Sequence, residues 1–239
     1  ASHLFMRGKI QGLLIVAPNS VYTEWCRELL PAHMAAPYVQ LLFRTGEYGE
    51  RRQMRRALFL NPTEYRDKLR VLCMSYDGAK SQHGNQLAHD FVLLYKTMIV
   101  ADESTAISNP ETATAKTMKK LRASCHYAWI ATGTPIAQSP FQFHSQIEFL
   151  CPGFWKRHGM KSYAAFRQQF GEYELQRAGA RAFNKLVQYR DLTRLYDLIK
   201  PICSRLLKED SGVDLPPKLY RPVTFRLTTE QRRVYEDLR

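Results

Sequence analysis

Short runs of residues that are apolar on both sides punctuate this chain, and such runs belong in an interior. They are Gly12 to Ala17, Tyr38 to Phe43, Leu69 to Met74, Thr97 to Ala101 and His126 to Ala131. Each has the length of a strand, and none alternates cleanly between apolar and polar, so each predicts a strand buried on both faces. Between them lie amphipathic stretches at Ser20 to His33, Glu47 to Leu60, Gln86 to Tyr95 and Glu111 to Ala123. Strand and helix in alternation predict an α/β domain, a parallel sheet covered by helices on both faces. Ala1 to Gly8 reads as the last turns of a helix closed by glycine, so the segment is expected to begin inside an element.

The pattern changes after Pro152. Lys161 to Leu198 reads as helical, aromatic and charged, without a strand-like run. Pro201 to Leu207 and Tyr220 to Leu227 read as further strands on either side of a rigid Leu215-Pro216-Pro217-Lys218 break, and a last helix begins near Thr229.

Composition excludes several classes. Hydrophobic residues make up 45%, too many for a disordered chain. Lys and Arg number 35 against 22 Asp and Glu, a net charge of +13 that attracts polyanions, of which nucleic acid is the commonest. Five widely spaced cysteines without a CxxC pair predict free thiols, and the 7 histidines show no metal-ligand spacing with them. No apolar run approaches a membrane span and no leader is visible, which predicts a soluble intracellular chain with no membrane partner.

In an open parallel sheet, ligands bind beyond the carboxyl ends of the strands. Four strand ends are polar: Pro18-Asn19-Ser20, Ser75-Tyr76-Asp77, Asp102-Glu103-Ser104 and Thr132-Gly133-Thr134-Pro135. Asp102-Glu103 is the sharpest pair, because an apolar strand ending in Asp-Glu suits a Mg²⁺-nucleotide site. On its own the pair equally suits capping of the next helix, and the threonine loop equally suits a tight turn. Asn19 and Ser20 have helix capping as their alternative, and Trp25 reads as packing a helix onto the sheet. Arg51, Arg52, Arg55 and Arg56 read as a solvated helix face rather than a phosphate site.

These residues together resemble the Swi/Snf-like, superfamily-two helicase-related ATPases. Val100 to Pro110 is similar to the family's Asp-Glu-x-x-x-x-Ile-Lys-Asn stretch, with Ser104-Thr105 for the commoner Ala-His and Ser108 for Lys. The Asp-Glu-Ser variant resembles bacterial and phage members, which implies a cytoplasmic setting. Ala131 to Ile136 matches the Thr-Gly-Thr-Pro motif, and Phe141 to Phe154 resembles the family's next segment. Leu14 to Glu28, including Trp25, and Val71 to Tyr76 are similar to the two nucleic-acid-contacting motifs. Leu215 to Lys218, with Leu227 to Gln231 and Tyr235 after it, resembles the bridge to a second lobe.

The resemblance implies a RecA-like lobe over residues 1–152, a helical extension over 153–200, and the end of the lobe with a linker over 201–239. It implies ATP and Mg²⁺ as cofactors, with Asp102 holding the metal and Glu103 orienting the attacking water. Thr132, Gly133 and Thr134 would couple the nucleotide to the nucleic-acid track by hydrogen-bonding those carboxylates. Asn19, Ser20, Ser75 and Tyr76 would touch the sugar-phosphate backbone of DNA, double-stranded in this family. No Gly-x-x-x-x-Gly-Lys-Ser/Thr occurs in the 239 residues. Its family position lies upstream, so the segment alone is expected not to hydrolyse ATP. The expected function is a DNA translocase motor completed by a second lobe. The alternatives are an unwinding helicase, against which Trp25 and the Leu-Pro-Pro-Lys bridge argue, and a non-catalytic nucleic-acid-binding lobe.

Overall fold

All five apolar runs form strands: β1 (Gly12–Ala17), β2 (Tyr38–Leu42), β3 (Leu69–Ser75), β4 (Thr97–Asp102) and β5 (Tyr127–Ala131). The computed structural model describes residues 1–46, 49–136, 138–178, 181–206, 212 and 219–237. Two units are distinguished, Ala1–Ile199 and Lys200–Arg239. In the first, the strands lie in the order β2-β3-β1-β4-β5, and every neighbouring pair is parallel.

Helix α1 (Ser2–Met6) precedes β1. It ends at Gly8, where φ is +66°, with the Gly8 and Lys9 N–H groups donating to the Phe5 and Leu4 carbonyls at 2.8 and 2.9 Å. That pair of bonds is a Schellman cap, for which a left-handed glycine is suited. Helix α2 runs through Tyr22–Glu24, a π-turn at Trp25–Leu29 and Leu30–His33. Then come α3 (Glu50–Leu60), α4 (Tyr76–Lys80), α5 (Gln82–Leu94) and α6 (Ala113–Ala123). Glu47, where α3 was expected to start, lies outside the described residues.

Alternate strand residues feed two cores. Leu14, Val16, Leu72, Met74, Ile99 and Ala101 meet Leu87 and Phe91 of α5 and Met118 and Leu121 of α6. Leu13, Ile15, Val71, Cys73, Met98 and Val100 meet Cys26 and Leu30 of α2, with Leu4 and Phe5 of α1 packed alongside. Burial of each such side chain contributes about 1.5–3 kcal/mol. The fold is therefore the expected RecA-like one. β5 differs from the inner strands, since Trp129 is 61% exposed along this edge of the sheet.

A third cluster gathers Phe141, Ile147, Phe154, Trp155, Phe166 and Phe170. It is built by α7 (Phe143–Leu150), α8 (Phe154–Arg157), α9 (Tyr163–Phe170) and α10 (Leu192–Ile199). Arg122 ties α6 to α7 by donating to the Phe149 and Leu150 carbonyls at 2.9 and 3.1 Å.

The stretch read as helical throughout contains an antiparallel hairpin, β6 (Gly171–Ala178) and β7 (Arg181–Tyr189). Tyr173, Leu186 and Tyr189 pack on the third cluster, while Leu175 and Val187 are 65% and 52% exposed. The strand expected from Pro201 is instead a 3₁₀ turn, Lys200–Ile202, followed by irregular chain. Tyr220 to Leu227 is irregular too. Alternation alone does not make a strand, because its backbone groups need a second strand to complete their hydrogen bonds. Leu215-Pro216-Pro217-Lys218 lies outside the described residues. The last helix, α11, spans Thr229–Asp237.

Candidate functional site

The parallel register places four strand ends on one edge of the sheet. Ala17 pairs with Ser75, Val16 with Ala101, and Asp102 with Ala131. The residues just beyond them, from Asn19, Tyr76, Glu103 and Thr132 onward, share that rim. The acidic couple and the threonine loop meet there. Thr132 Oγ1–H donates to Glu103 Oε2 at 3.1 Å, and the Thr134 N–H donates to Thr132 Oγ1 at 3.2 Å. Thr132 therefore reaches a carboxylate through its hydroxyl, whereas Thr134 joins through its backbone. Gly133 and Thr134 are exposed.

Asp102 is held through both carboxylate oxygens and its carbonyl. The Trp25 indole Nε1–H donates to Asp102 Oδ2 at 2.8 Å, and the Glu103 N–H to Oδ1 at 3.0 Å. The Tyr76 hydroxyl donates to the Asp102 carbonyl at 2.7 Å. Trp25, expected only to pack α2 on the sheet, thus also binds the carboxylate from the π-turn. Such turns alter the register of a helix and recur at functional sites. Glu103 has φ +48° and ψ +60°, a left-handed conformation that costs a residue other than glycine about 1–3 kcal/mol.

Ser75 and Tyr76 depart from the expected exposed contact surface. Ser75 is 4% and Tyr76 7% exposed. Ser75 caps α4, accepting the Gly78 N–H at 3.0 Å. Burial first, and then the Asp102 and Glu103 charges, raise the Tyr76 phenol well above its usual value, so it stays a protonated donor. Asn19 and Ser20 are exposed. Asn19 Nδ2 donates to Asp77 Oδ2 at 2.8 Å, and Asp77 pairs with Lys80 at 2.8 Å. Lys80 first, then Asn19, hold the Asp77 carboxyl below its usual range. Neither Asn19 nor Ser20 caps α2 with its side chain.

One pairing beside the site was not foreseen in the sequence. Ser104 and Gln146 are both fully buried beside the rim and bonded to each other at 2.6 Å. The one signal was Ser104 itself, standing where alanine is commoner.

The rim's donors suit Mg²⁺ brought by a nucleotide. Among the described residues no three His, Cys, Asp or Glu side chains cluster as a metal cage. Mg²⁺ keeps much of its water and takes one or two carboxylates with phosphate oxygens, which two oxygen-only acids match. Each Asp102 oxygen accepts one protein hydrogen bond, leaving lone pairs for water.

The model of the SNF2-related domain matches residues 3–239. The TATA-binding protein-associated factor MOT1 of Saccharomyces cerevisiae is 29% identical over 233 residues, 94% of this chain and 11% of that protein. The ATP-dependent helicase FUN30 of the same yeast is 26% identical over 227 residues, 93% of this chain and 18% of that protein. This chain therefore spans only about a tenth to a fifth of these relatives. Among solved structures, the Sulfolobus solfataricus SWI2/SNF2 ATPase core in complex with dsDNA has the same fold. It aligns with a TM-score of 0.60 and 23% identity, covering 99% of this chain and 42% of that one.

Proposed function

The chain belongs to the SNF2-related domain family, and from that premise we propose that it forms part of the first lobe of an ATP-driven DNA motor. The intact protein couples ATP hydrolysis to movement along double-stranded DNA. The observation that carries this is the Glu103–Thr132 hydrogen bond at 3.1 Å, which joins two motif loops on the rim where a parallel sheet binds its ligand.

Asp102 would hold Mg²⁺ through water, and the ion, when bound, neutralises charge on the transferring phosphoryl group. Glu103 orients the attacking water and accepts its proton. Thr132 donates to Glu103 in this structure; a shift of that hydroxyl would pass the state of the nucleotide to the threonine loop. Asn19 and Ser20, exposed beside the end of β1, offer amide and hydroxyl groups to a phosphate backbone. Ser75 and Tyr76 support the frame behind them. The phosphate-binding loop is supplied from outside these 239 residues, and a second lobe completes the site. β5 is the terminal strand of the five-stranded sheet, the edge at which a further strand can pair. The domain division at 152 and 200 and the linker role of the last residues belong to the same proposal.

A bacterial or phage branch, and the cytoplasmic setting drawn from it, rest on the Asp-Glu-Ser variant alone. The yeast relatives give them no support.

The direct test is Glu103→Gln in the intact protein. Turnover of ATP should fall by about a hundredfold or more, the loss expected for a general base, while DNA binding is retained. Wild-type turnover in the variant would refute the assignment.

A further inference from the structure

One fully buried polar side chain beside the rim belongs to neither motif. Gln146, on α7, is fully buried, as is Ser104. Ser104 Oγ–H donates to Gln146 Oε1 at 2.6 Å. The Gln146 amide nitrogen donates to the Pro135 carbonyl at 2.9 Å and to the Gln142 carbonyl at 3.2 Å. Both N–H groups and the amide oxygen are therefore engaged. A leucine would fill the same space without desolvating an amide, so a satisfied network here specifies geometry rather than supplying net stability.

The network joins the two halves of the site. Ser104 directly succeeds Glu103, whose left-handed backbone persists only where its neighbours over-determine it. Pro135 closes the Thr132-Gly133-Thr134 loop. One amide thus grips the acidic turn with its oxygen and the threonine loop with its nitrogen. Alanine at 104 would offer no hydroxyl to the first arm, so the device depends on the serine at that position.

We infer that Gln146 is a positioning residue that clamps the 102–104 turn to the 132–135 loop, so that the Glu103–Thr132 contact forms and breaks as one unit. The clamp stands on the hydrogen bonds alone; its effect on turnover rests on the ATPase reading.

The test uses the full-length protein and amide hydrogen exchange. Gln146→Leu keeps the side-chain volume and removes both arms. Exchange at residues 103–107 and 132–136 should rise together, by about tenfold for a lost buried hydrogen bond, with β1 and β3 unchanged. Ser104→Ala should loosen 103–107. The double variant should exceed Gln146→Leu alone by less than about twofold, because the two residues act through one contact. ATP turnover should show kcat lowered about tenfold with KM for ATP held within about twofold. Exchange rising at only one segment, at neither, or equally across β1 and β3 would overturn the clamp, as would additive effects in the double variant. Paired loosening in a protein with no measurable ATP turnover would uphold the clamp and remove the ATPase reading.

Discussion

Trp25 and Tyr76 show how much of the site depends on groups that carry no charge. The indole N–H of Trp25 holds one oxygen of Asp102 at 2.8 Å, and the Tyr76 hydroxyl holds its carbonyl at 2.7 Å. Trp25→Phe keeps most of the apolar surface and removes the donor. It should lower stability in urea by about 0.5–1.5 kcal/mol, the net value of one hydrogen bond. In the intact protein it should also lower ATP turnover more than DNA affinity. Equal losses in both would mean that Trp25 serves only to pack α2. His144 makes a different case. Burial first, and Lys119 second, push its imidazole down to about 4, and its Nδ1 is buried without a hydrogen-bond partner. Its ring lies 4.9 Å from Tyr163 and 5.1 Å from Phe166, in an aromatic box. Between the ordinary histidine value near 6.5 and about 4, the unfolded chain binds the extra proton and the folded one does not. Stability should therefore be level above about 6.5 and fall as pH drops towards 4, and His144→Phe should flatten that slope. Melting temperatures measured across this range for both proteins check it.

At the scale of elements, close approach decides as much as burial. A Cβ on Gly84, at the start of α5, would sit 2.1 Å from the Gly78 carbonyl of α4. Gly84→Ala must push the two helices apart, at a cost of about 1–3 kcal/mol. Because α4 begins at Tyr76, hydrogen exchange near Asp102 should rise as well. A variant as stable as the parent would show that this contact is soft. The inner strands were legible in the sequence because nothing but a two-sided core accepts Leu13-Leu14-Ile15-Val16 or Val71-Leu72-Cys73-Met74. The hairpin at 171–189 was not, because its outward face carries residues such as Glu172, Glu174 and Lys185, and its inward face needs only Tyr173, Leu186 and Tyr189. Tyr220 to Leu227, expected as a strand, is irregular chain, since an alternating pattern does not by itself supply a pairing partner. Within the site, the acids and threonines could be placed because strand ends in a parallel sheet share one edge. Ser75 and Tyr76 could not be told from exposed contacts, since a motif gives residue type but not depth. Gln146 lay unseen on a helix whose pattern is that of an ordinary core element.

At the scale of the whole molecule, the net charge of +13 should make DNA binding salt-sensitive, with affinity falling steeply as counterions are added. The slope of log affinity against log salt should not depend on DNA sequence, because the exposed polar groups beside the rim suit phosphates rather than base edges. The segment by itself, without a Gly-x-x-x-x-Gly-Lys-Ser/Thr sequence, should show no ATP turnover above background. Turnover by these 239 residues alone would mean that phosphates are held in some other way. The intact protein provides the decisive case. Its ATP turnover should rise by about tenfold or more when duplex DNA is added, and much less with single strands of the same length, as a motor that tracks a duplex backbone requires. Turnover indifferent to DNA, or stimulated only by single strands, would contradict the account.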